Sequence, residues 1–344
     1  MGVIEIVNEA EEDEWKKFLY GCDAASIYHT PEWKKILEET FNYKAHYLFA
    51  KDDSGKMVGL LPLFHVKSKL TGNRLCSVPF SHICGPLGDE SAVNFLIGER
   101  INLYEDLNVS YFEIRDRVDF DGFQRQNSFC MHILELSPNV EEVWKKLDKG
   151  SVRWAIKKSQ KSGVSVDATK DIGDLKEFYE LNCMTKKEIG VPCHPLKFFK
   201  NLFRLLGDHV SLYVARCNSE IIGGGVMEYF KDSVLYGYGA ANSDYLKLHP
   251  YNAFMWKSIE DACLKGYRYY DFGRTSYDNV GLINFKKRWG TVEKKLCYSY
   301  YPKNPESLTG NRDNLKYKFG TKMIRRMPMS IYKKFSDMVF GSFG

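Results

Sequence analysis

The sequence predicts an α/β chain in which one module of strands and helices occurs twice, followed by a basic helical tail. The 344 residues are too many for one average domain and about right for two. Residues 47–59 (YLFAKDDSGKMVG) and 212–223 (LYVARCNSEIIG) both contain an apolar strand, a polar turn and a second apolar strand that reaches glycine. After each hairpin come a helix-like segment and a buried strand, at 96–115 and again at 254–273. Two copies of one module explain this order better than two unrelated domains.

The junction between the modules lies near residues 140–165. A helix is predicted over 140–149, and Ser151 is the expected N-cap of a second helix that Gly163 ends. An alternating strand follows at 164–166. The two predicted modules and the tail are residues 1–140, 141–310 and 311–344.

Composition excludes several classes of protein. Apolar residues make up 44% and charged residues 27%, which is typical of globular proteins. No apolar run reaches the length of a membrane span, and the acidic N-terminus does not resemble a targeting peptide, so we expect a cytoplasmic protein. The nine cysteines form no C-x-x-C pair, and we therefore expect no metal. Residues 310–344 carry eight Lys or Arg against two Asp, so the remaining residues have a net charge of −1 although the whole chain has +5.

A cationic segment lies at the junction. Arg153, Lys157 and Lys161 are spaced four apart, with Lys158 beside them, and no acid occurs between Asp148 and Asp167. On a helix this spacing makes one row of cations, which suits a phosphate-bearing ligand or the acceptor end of an RNA. A solvated helix face is the alternative.

The second candidate segment is Tyr236–Asn252. Gly237 and Gly239 alternate with tyrosines, so the strand is predicted to present aromatic rings on one face and bare backbone on the other, where an extended ligand can approach. His249-Pro250-Tyr251-Asn252 then opens a helix, whose N-terminus favours anions. Ordinary sheet packing is the alternative.

The third candidate segment is Tyr269–Gly290. A buried strand is predicted to end at Asp271, a polar loop to run to Gly281, and Phe285–Trp289 to place cations among aromatic rings. Loops at strand ends carry catalytic groups because the sheet positions them. Alternatively, Asp271 only caps a turn and Lys286 only extends its ammonium to solvent.

Together these segments resemble the Fem-like aminoacyl transferases and the wider GNAT-type acyltransferases. The matching motifs span most of the chain in the family's order, and the last is the most specific. They are His29-Thr30-Pro31-Glu32-Trp33, Gly85-Pro86-Leu87, Arg153–Gly163, Pro250–Trp256, Asp271-Phe272-Gly273 and Gly281-Leu282-x-x-Phe285-Lys286-x-x-x-Gly290.

The resemblance implies two tandem GNAT-like modules and a reaction that forms an amide. The donor is then an activated acyl or aminoacyl ester, acyl-CoA or aminoacyl-tRNA, with no cofactor bound permanently. The acceptor is an amine on a small molecule or on a nucleotide- or lipid-linked sugar of the cell envelope or a polysaccharide. Two departures weaken particular donors: Lys247–Asn252 lacks the glycines of a coenzyme A loop, and the helical hairpin that some Fem proteins use for tRNA is not evident.

The family's lysine maps onto Lys286, which is expected to stabilise the reacting carbonyl oxygen. The base that neutralises the amine is left open between Asp271, His249 and Tyr238. The predicted catalytic residues are Lys286, Asp271 and Tyr238. The predicted substrate-binding residues are Arg153, Lys157, Lys158, His249, Tyr251, Asn252, Phe285, Arg288 and Trp33.

A second hypothesis treats the chain as an inactive GNAT-like scaffold at a membrane surface or in a complex. Phe319, Met323 and Met327 recur every four residues among lysines and arginines, a pattern that suits an anionic membrane. The alternative for the tail is a helix that packs on its own domain.

Overall fold

The computed structural model describes residues 5–68, 72–118, 120–302 and 315–343. These residues form two compact units. Unit 1 comprises the described residues of 1–128, 295–309 and 341–344, and unit 2 those of 129–294 and 310–340. Unit 2 thus begins inside a strand at residue 129, whereas the sequence places the boundary of the second module at residue 141.

Unit 1 contains two antiparallel or mixed sheets and three main helices. One sheet has the strand order β1-β3-β4-β7. In the second sheet, β8 lies parallel to β6 and antiparallel to β15 (Val292–Tyr301). Its elements are β1 (Glu5–Val7), α1 (Glu12–Gly21), α2 (Pro31–Phe41), β2 (Lys44–Ala45), β3 (Leu48–Lys51), β4 (Met57–Leu61), β5 (Phe64–Ser68), β6 (Gly72–Cys76), β7 (Leu87–Gly88), α3 (Glu90–Asp106) and β8 (Tyr111–Asp116).

The first predicted hairpin is confirmed as β3 and β4, which pair antiparallel from Leu48↔Leu61 onward. Helix α3 packs on this hairpin, and its Leu96 lies in the same apolar core as Leu48 and Leu61. A Cβ on Gly59 would lie 2.9 Å from Leu96 Cδ1. The glycine that ends the hairpin motif is therefore required by the close approach of the helix.

Unit 2 is built on a sheet with the strand order β10-β11-β12-β13-β14-β9. Its elements are β9 (Gln124–Glu135, which starts in unit 1), α4 (Val140–Lys146), α5 (Trp154–Lys161), β10 (Ser165–Thr169), α6 (Ile172–Ile189), α7 (Leu196–Leu206), β11 (Val210–Cys217), β12 (Glu220–Phe230), β13 (Ser233–Ala241), α8 (Pro250–Leu264), β14 (Tyr269–Ser276), α9 (Val280–Lys287), β15 (Val292–Tyr301, which ends in unit 1), α10 (Leu315–Arg326) and α11 (Met329–Val339).

The second predicted hairpin is confirmed as β11 and β12. A Cβ on Gly223 would lie 2.9 Å from Pro250 Cβ at the start of α8, so this glycine meets its helix as Gly59 meets α3. The predicted helix and strand after the hairpin are α8 and β14. The α/β fold class predicted from the sequence is confirmed.

Strands β13 and β14 are parallel neighbours that separate early. Among the described residues their pairing runs from Ser233↔Tyr269 to Leu235↔Asp271, yet β13 continues to Ala241 and β14 to Ser276. Backbone beyond Leu235 and Asp271 is therefore released from this ladder. An extended ligand can hydrogen-bond to backbone groups exposed in this way.

The prediction that Tyr236 and Tyr238 share one face of β13 is wrong. The Tyr236 ring packs on Phe254 of α8, whereas Tyr238 packs on Phe199 of α7. A register shift opposite them, between Val226 and Met227, inserts an extra residue into β13 and turns the strand over.

Two predicted boundaries at the other candidate segments also differ. Asp148, rather than Ser151, caps the junction helix, since its carboxylate accepts the Ser151 N–H at 2.8 Å; a π-helical turn, Lys149–Arg153, then leads into α5. Strand β14 does not end at Asp271 but continues to Ser276 after a register shift against β9.

The tail is described from Leu315, and its predicted residues 311–314 lie outside the described part. It packs on its own unit: the Tyr332 hydroxyl donates to Val191 O at 2.9 Å, and Lys333 forms an ion pair with Glu180. Phe319 and Met338 are nevertheless 72% and 75% exposed. In the described residues, we find no helix with the length and apolarity required to cross a bilayer.

Candidate active site

Gly273 is the centre of the candidate site. Its N–H donates to Asp271 Oδ1 at 2.7 Å, and its carbonyl accepts a 2.7 Å hydrogen bond from Lys286 Nζ, which also donates to Arg274 O at 3.3 Å. The residue has a φ of 68°, a conformation that glycine adopts without strain. Asp271, Gly273 and Lys286 thus belong to one hydrogen-bonded group at the point where β14 has left β13.

Lys286 is buried in this group, with 4% of its surface exposed. Burial lowers its pKa to about 8, while the Asp271 carboxylate opposes that shift. Near neutral pH the ammonium is therefore held charged in a poorly solvated position. A cation in such surroundings stabilises developing negative charge more strongly than one in water.

A second cluster lies beside Lys286. Cys130, His132 and Glu293 each place a possible ligand atom within 4.8 Å of the others, and these are ligand types that zinc accepts. However, Lys287 Nζ lies 2.9 Å from the Glu293 carboxylate, and the charges of Lys286 and Lys287 lower the pKa of His132, after burial as the main cause. Two ammonium groups oppose the binding of a cation, so the cluster carries no metal assignment.

Sequence reasoning missed this cluster. Cys130 and His132 point to the same face of β9 because they are two residues apart. Glu293 follows 161 positions after His132 in the sequence, and no local spacing connects them.

The cations of the junction segment separate in the structure. Lys158 Nζ lies over the Trp154 ring at 4.9 Å, and that ring contacts His249 at 5.1 Å, so the junction helix meets the start of α8. Lys157 instead lies over Trp144 of α4, at 5.9 Å. Arg153 is half-buried in the π-helical turn.

An open cleft of about 450 Å³ lies beside the same segment. It is lined by Lys146, Asp148, Asn284, Lys287 and Arg288. Its lining carries three cations and one carboxylate, and even with Lys287 paired to Glu293 the net charge is positive, which favours an anionic ligand. Arg288, one of the predicted substrate-binding residues, is exposed at this cleft.

The other predicted site residues are more deeply packed. Burial raises the pKa of the Tyr251 phenol. Asn252 is half-buried in the first turn of α8, and Phe285 packs against Trp289 at 6.2 Å. Trp33 is fully buried in unit 1, with its ring 4.7 Å from Tyr28, because Thr30 and Pro31 start helix α2 with its apolar face inward. Its predicted substrate contact is corrected to a packing role.

Tyr238 is corrected as a base candidate. Burial raises its pKa well above the usual value, and the Glu228 carboxylate raises it further. The phenol therefore stays protonated near neutral pH and cannot accept a proton. Glu228 itself, on the neighbouring strand β12, was missed by sequence reasoning: it is 1% exposed and neither carboxylate oxygen has a hydrogen-bond partner among the described residues.

Comparison with known proteins gives one family match. Residues 149–287 match the model of the acetyltransferase (GNAT) domain. This range contains α5, the strands from β10 to β14, and α9, and so includes Lys286 and the cations of the junction segment, from Arg153 to Lys161. No curated protein matches the chain.

Solved structures share the fold over nearly the whole chain. FemX superposes with a TM-score of 0.69 at 16% identity, covering 86% of this chain and 96% of its own. L-PGS from Bacillus licheniformis gives a TM-score of 0.57 at 14% identity, covering 94% and 100%. A tandem GNAT protein from the clavulanic acid biosynthesis pathway gives 0.51 at 10% identity, covering 86% and 98%.

Proposed function

Because this chain carries a GNAT acetyltransferase domain over residues 149–287, in the fold of FemX, we propose that it is an N-acyltransferase. In this proposal an activated acyl or aminoacyl donor reacts with an amine on a cell-envelope or polysaccharide precursor. The observation that carries the proposal is the buried Lys286 ammonium, bonded to Gly273 O at 2.7 Å beside the gap between β13 and β14.

The reaction requires three things of the site. The donor must lie extended along backbone groups, which the separated ends of β13 and β14 offer. The negative charge of the tetrahedral intermediate must be stabilised by a cation in a fixed position, and we assign that role to Lys286. A phosphate group on the donor or acceptor must be bound by cations, and Lys146, Lys287 and Arg288 line a cleft that can bind it.

The loop before α8 and the likeness to known proteins favour different donors. Residues Ser243–Leu248 form a 3-10 turn and His249 takes a left-handed conformation, with no glycine from 247 to 252. Acyl-CoA is the co-substrate class of GNAT domains, whereas FemX and L-PGS point to aminoacyl esters. The envelope acceptor is proposed on the same likeness to FemX.

A donor screen tests the proposal. Purified protein is incubated with acetyl-CoA and longer acyl-CoA esters, or with aminoacyl-tRNA, together with amino-sugar nucleotides or amine-bearing lipids. Amide formation is followed by mass spectrometry, and thermal shift reports which ligand binds. We expect amide product with at least one donor class; no binding and no product with either class contradicts the proposal.

The exposed tail residues favour a second candidate function, contact with an anionic membrane surface. Phe319 and Met338 project from helices that also carry the exposed cations Lys322, Arg326 and Lys334. Apolar side chains that insert among lipids, next to cations that attract their headgroups, are typical of peripheral helices.

Vesicle co-sedimentation tests this second function. The double variant Phe319→Ser, Met338→Ser should lose binding to vesicles that contain phosphatidylglycerol. The control is Leu264→Ser, which removes a side chain 69% exposed at the end of α8 and should bind as the wild type does. Equal sedimentation of all three proteins, or none with the wild type, contradicts membrane contact.

A further inference from the structure

Glu228 is a buried carboxylic acid that the fold leaves without a hydrogen-bond partner among the described residues. It lies in β12 with 1% of its surface exposed, and both carboxylate oxygens are unsatisfied. Burying a carboxyl group without a hydrogen-bond partner lowers the stability of the folded protein. An apolar residue at the same position would fill the space without this loss of stability.

The carboxyl group lies beside Gly237 of β13. A Cβ on Gly237 would be 2.8 Å from Glu228 Oε1, and Gly237 itself is exposed. Only the absence of a side chain at Gly237 leaves that space beside the acid. Any larger residue at this position would cover the carboxyl group or displace it.

Strand pairing places this acid two strands from Asp271 of the candidate site. Leu235 of β13 pairs with Glu228 on one side and with Asp271 on the other. Residues paired across a sheet share a face, so Glu228 and Asp271 lie on the same face with Leu235 between them. Leu235↔Asp271 is also the last described pair before β13 and β14 separate.

The two residues paired with Glu228 on the neighbouring strands are apolar. On β11 it faces Val210 and on β13 it faces Leu235; Tyr238 is the titratable group that interacts with it, and Asp271 lies beyond Leu235. Burial alone raises the Glu228 pKa to about 8. An acid with that affinity for protons exchanges them near neutral pH, as a general base must.

We propose that Glu228 is the general base of the acyl transfer, an inference that rests on the proposed N-acyltransferase function. The ionised carboxylate takes a proton from the acceptor ammonium: an N–H bond breaks, a carboxyl O–H bond forms, and the nitrogen keeps the electron pair. That pair forms the new C–N bond as the carbonyl electrons move onto oxygen beside Lys286. When the carbonyl re-forms, the bond from carbon to the donor's sulfur or oxygen breaks, and the leaving group takes the second amine proton.

Replacement of the acid tests the assignment. Glu228→Gln keeps the size of the side chain and removes the base, so kcat should fall by about 10²–10⁴-fold with little change in KM. The matched control is Glu220→Gln, which changes an exposed acid on the same strand and should leave kcat unchanged. Wild-type kcat in Glu228→Gln overturns the assignment but not the proposed function; no amide product with the wild type overturns both.

Two further readouts separate a base from a structural acid. With the wild type, kcat should rise with pH until Glu228 is ionised, and Glu228→Gln should lose this acidic limb; a limb that persists overturns the assignment.

Thermal unfolding needs no substrate. Glu228 binds its proton more tightly in the folded state than in the unfolded state, so wild-type stability should fall relative to Glu228→Gln from about pH 4.5 to 8. A constant difference in Tm across that range shows an ordinary carboxyl group and overturns the assignment.

Discussion

Lys286 Nζ donates a 2.7 Å hydrogen bond to the carbonyl oxygen of Gly273, thirteen residues before it in the chain. This bond joins α9 to the bulged part of β14, and Asp271 completes it by accepting the Gly273 N–H. Of the two structural roles considered from the sequence, that of Asp271 as a cap is observed, whereas Lys286 is anchored inward and does not extend its ammonium to solvent. An anchored cation has a fixed position, which is what electrostatic stabilisation of an intermediate requires.

We expect Lys286→Ala to reduce kcat by about 10²–10³-fold, the effect of removing one stabilising group from a developing oxyanion. The control Lys294→Ala removes an exposed lysine of β15 and should keep full activity. Initial rates of amide formation provide the measurement, and circular dichroism establishes that both variants fold. Undiminished turnover by folded Lys286→Ala would exclude the lysine from catalysis.

The pH profile should fall on its alkaline side as Lys286 loses its proton. Burial lowers the pKa of this lysine to about 8, so the fraction of charged ammonium decreases above that pH. Lys286→Arg keeps a charge at all accessible pH values and should move the alkaline limb upward, at a lower maximal rate. The test is kcat measured between pH 6 and 10; an alkaline limb at the same pH in both proteins would assign it to another group.

The parts of the fold that the sequence predicted are those set by local pattern. The hairpins β3–β4 and β11–β12 follow from alternating apolar residues and polar turns, and Gly59 and Gly223 mark the approach of a helix in both units. These features depend on residues close together in the chain.

The parts that the sequence did not predict depend on distant residues. The extra residue that separates Tyr236 from Tyr238 in β13 is revealed only by its pairing with Val226 and Met227 of β12, so alternation within β13 alone cannot show that the two rings face opposite ways. In the sequence, Glu228 is an ordinary polar residue of a strand, and its burial is evident only in the folded structure. His132 meets Glu293 only in the folded chain.

The hairpin glycine of unit 2 should not tolerate a methyl group. In Gly223→Ala the new Cβ would lie 2.9 Å from Pro250 Cβ, and relief requires α8 to move from the sheet, so we expect a loss of about 1–3 kcal/mol in the free energy of unfolding. The control Gly281→Ala adds a methyl within α9 whose nearest neighbour is Asn279 Oδ1 at 3.9 Å, an ordinary contact distance, and should be neutral or slightly stabilising. Urea unfolding compares the two; equal stabilities would mean that α8 does not pack closely at Gly223.

Acid should destabilise unit 1 through His29. This imidazole is fully buried between two hydrogen bonds, accepting the Ser26 N–H at Nδ1 (3.1 Å) and donating from Nε2 to Gly85 O (3.0 Å), an arrangement that fits the neutral ring. Burial lowers its pKa to about 4, against 6.5 in the unfolded chain. The unfolded state therefore binds the proton first, and stability should fall as the pH drops from 6.5 to 4, by up to about 3 kcal/mol from this group.

Urea unfolding across that range should show a shallower pH dependence for His29→Gln than for the wild type, whereas His209→Gln, at an exposed position, should keep the wild-type slope. Parallel slopes for all three proteins would mean that His29 does not bind a proton on acid unfolding.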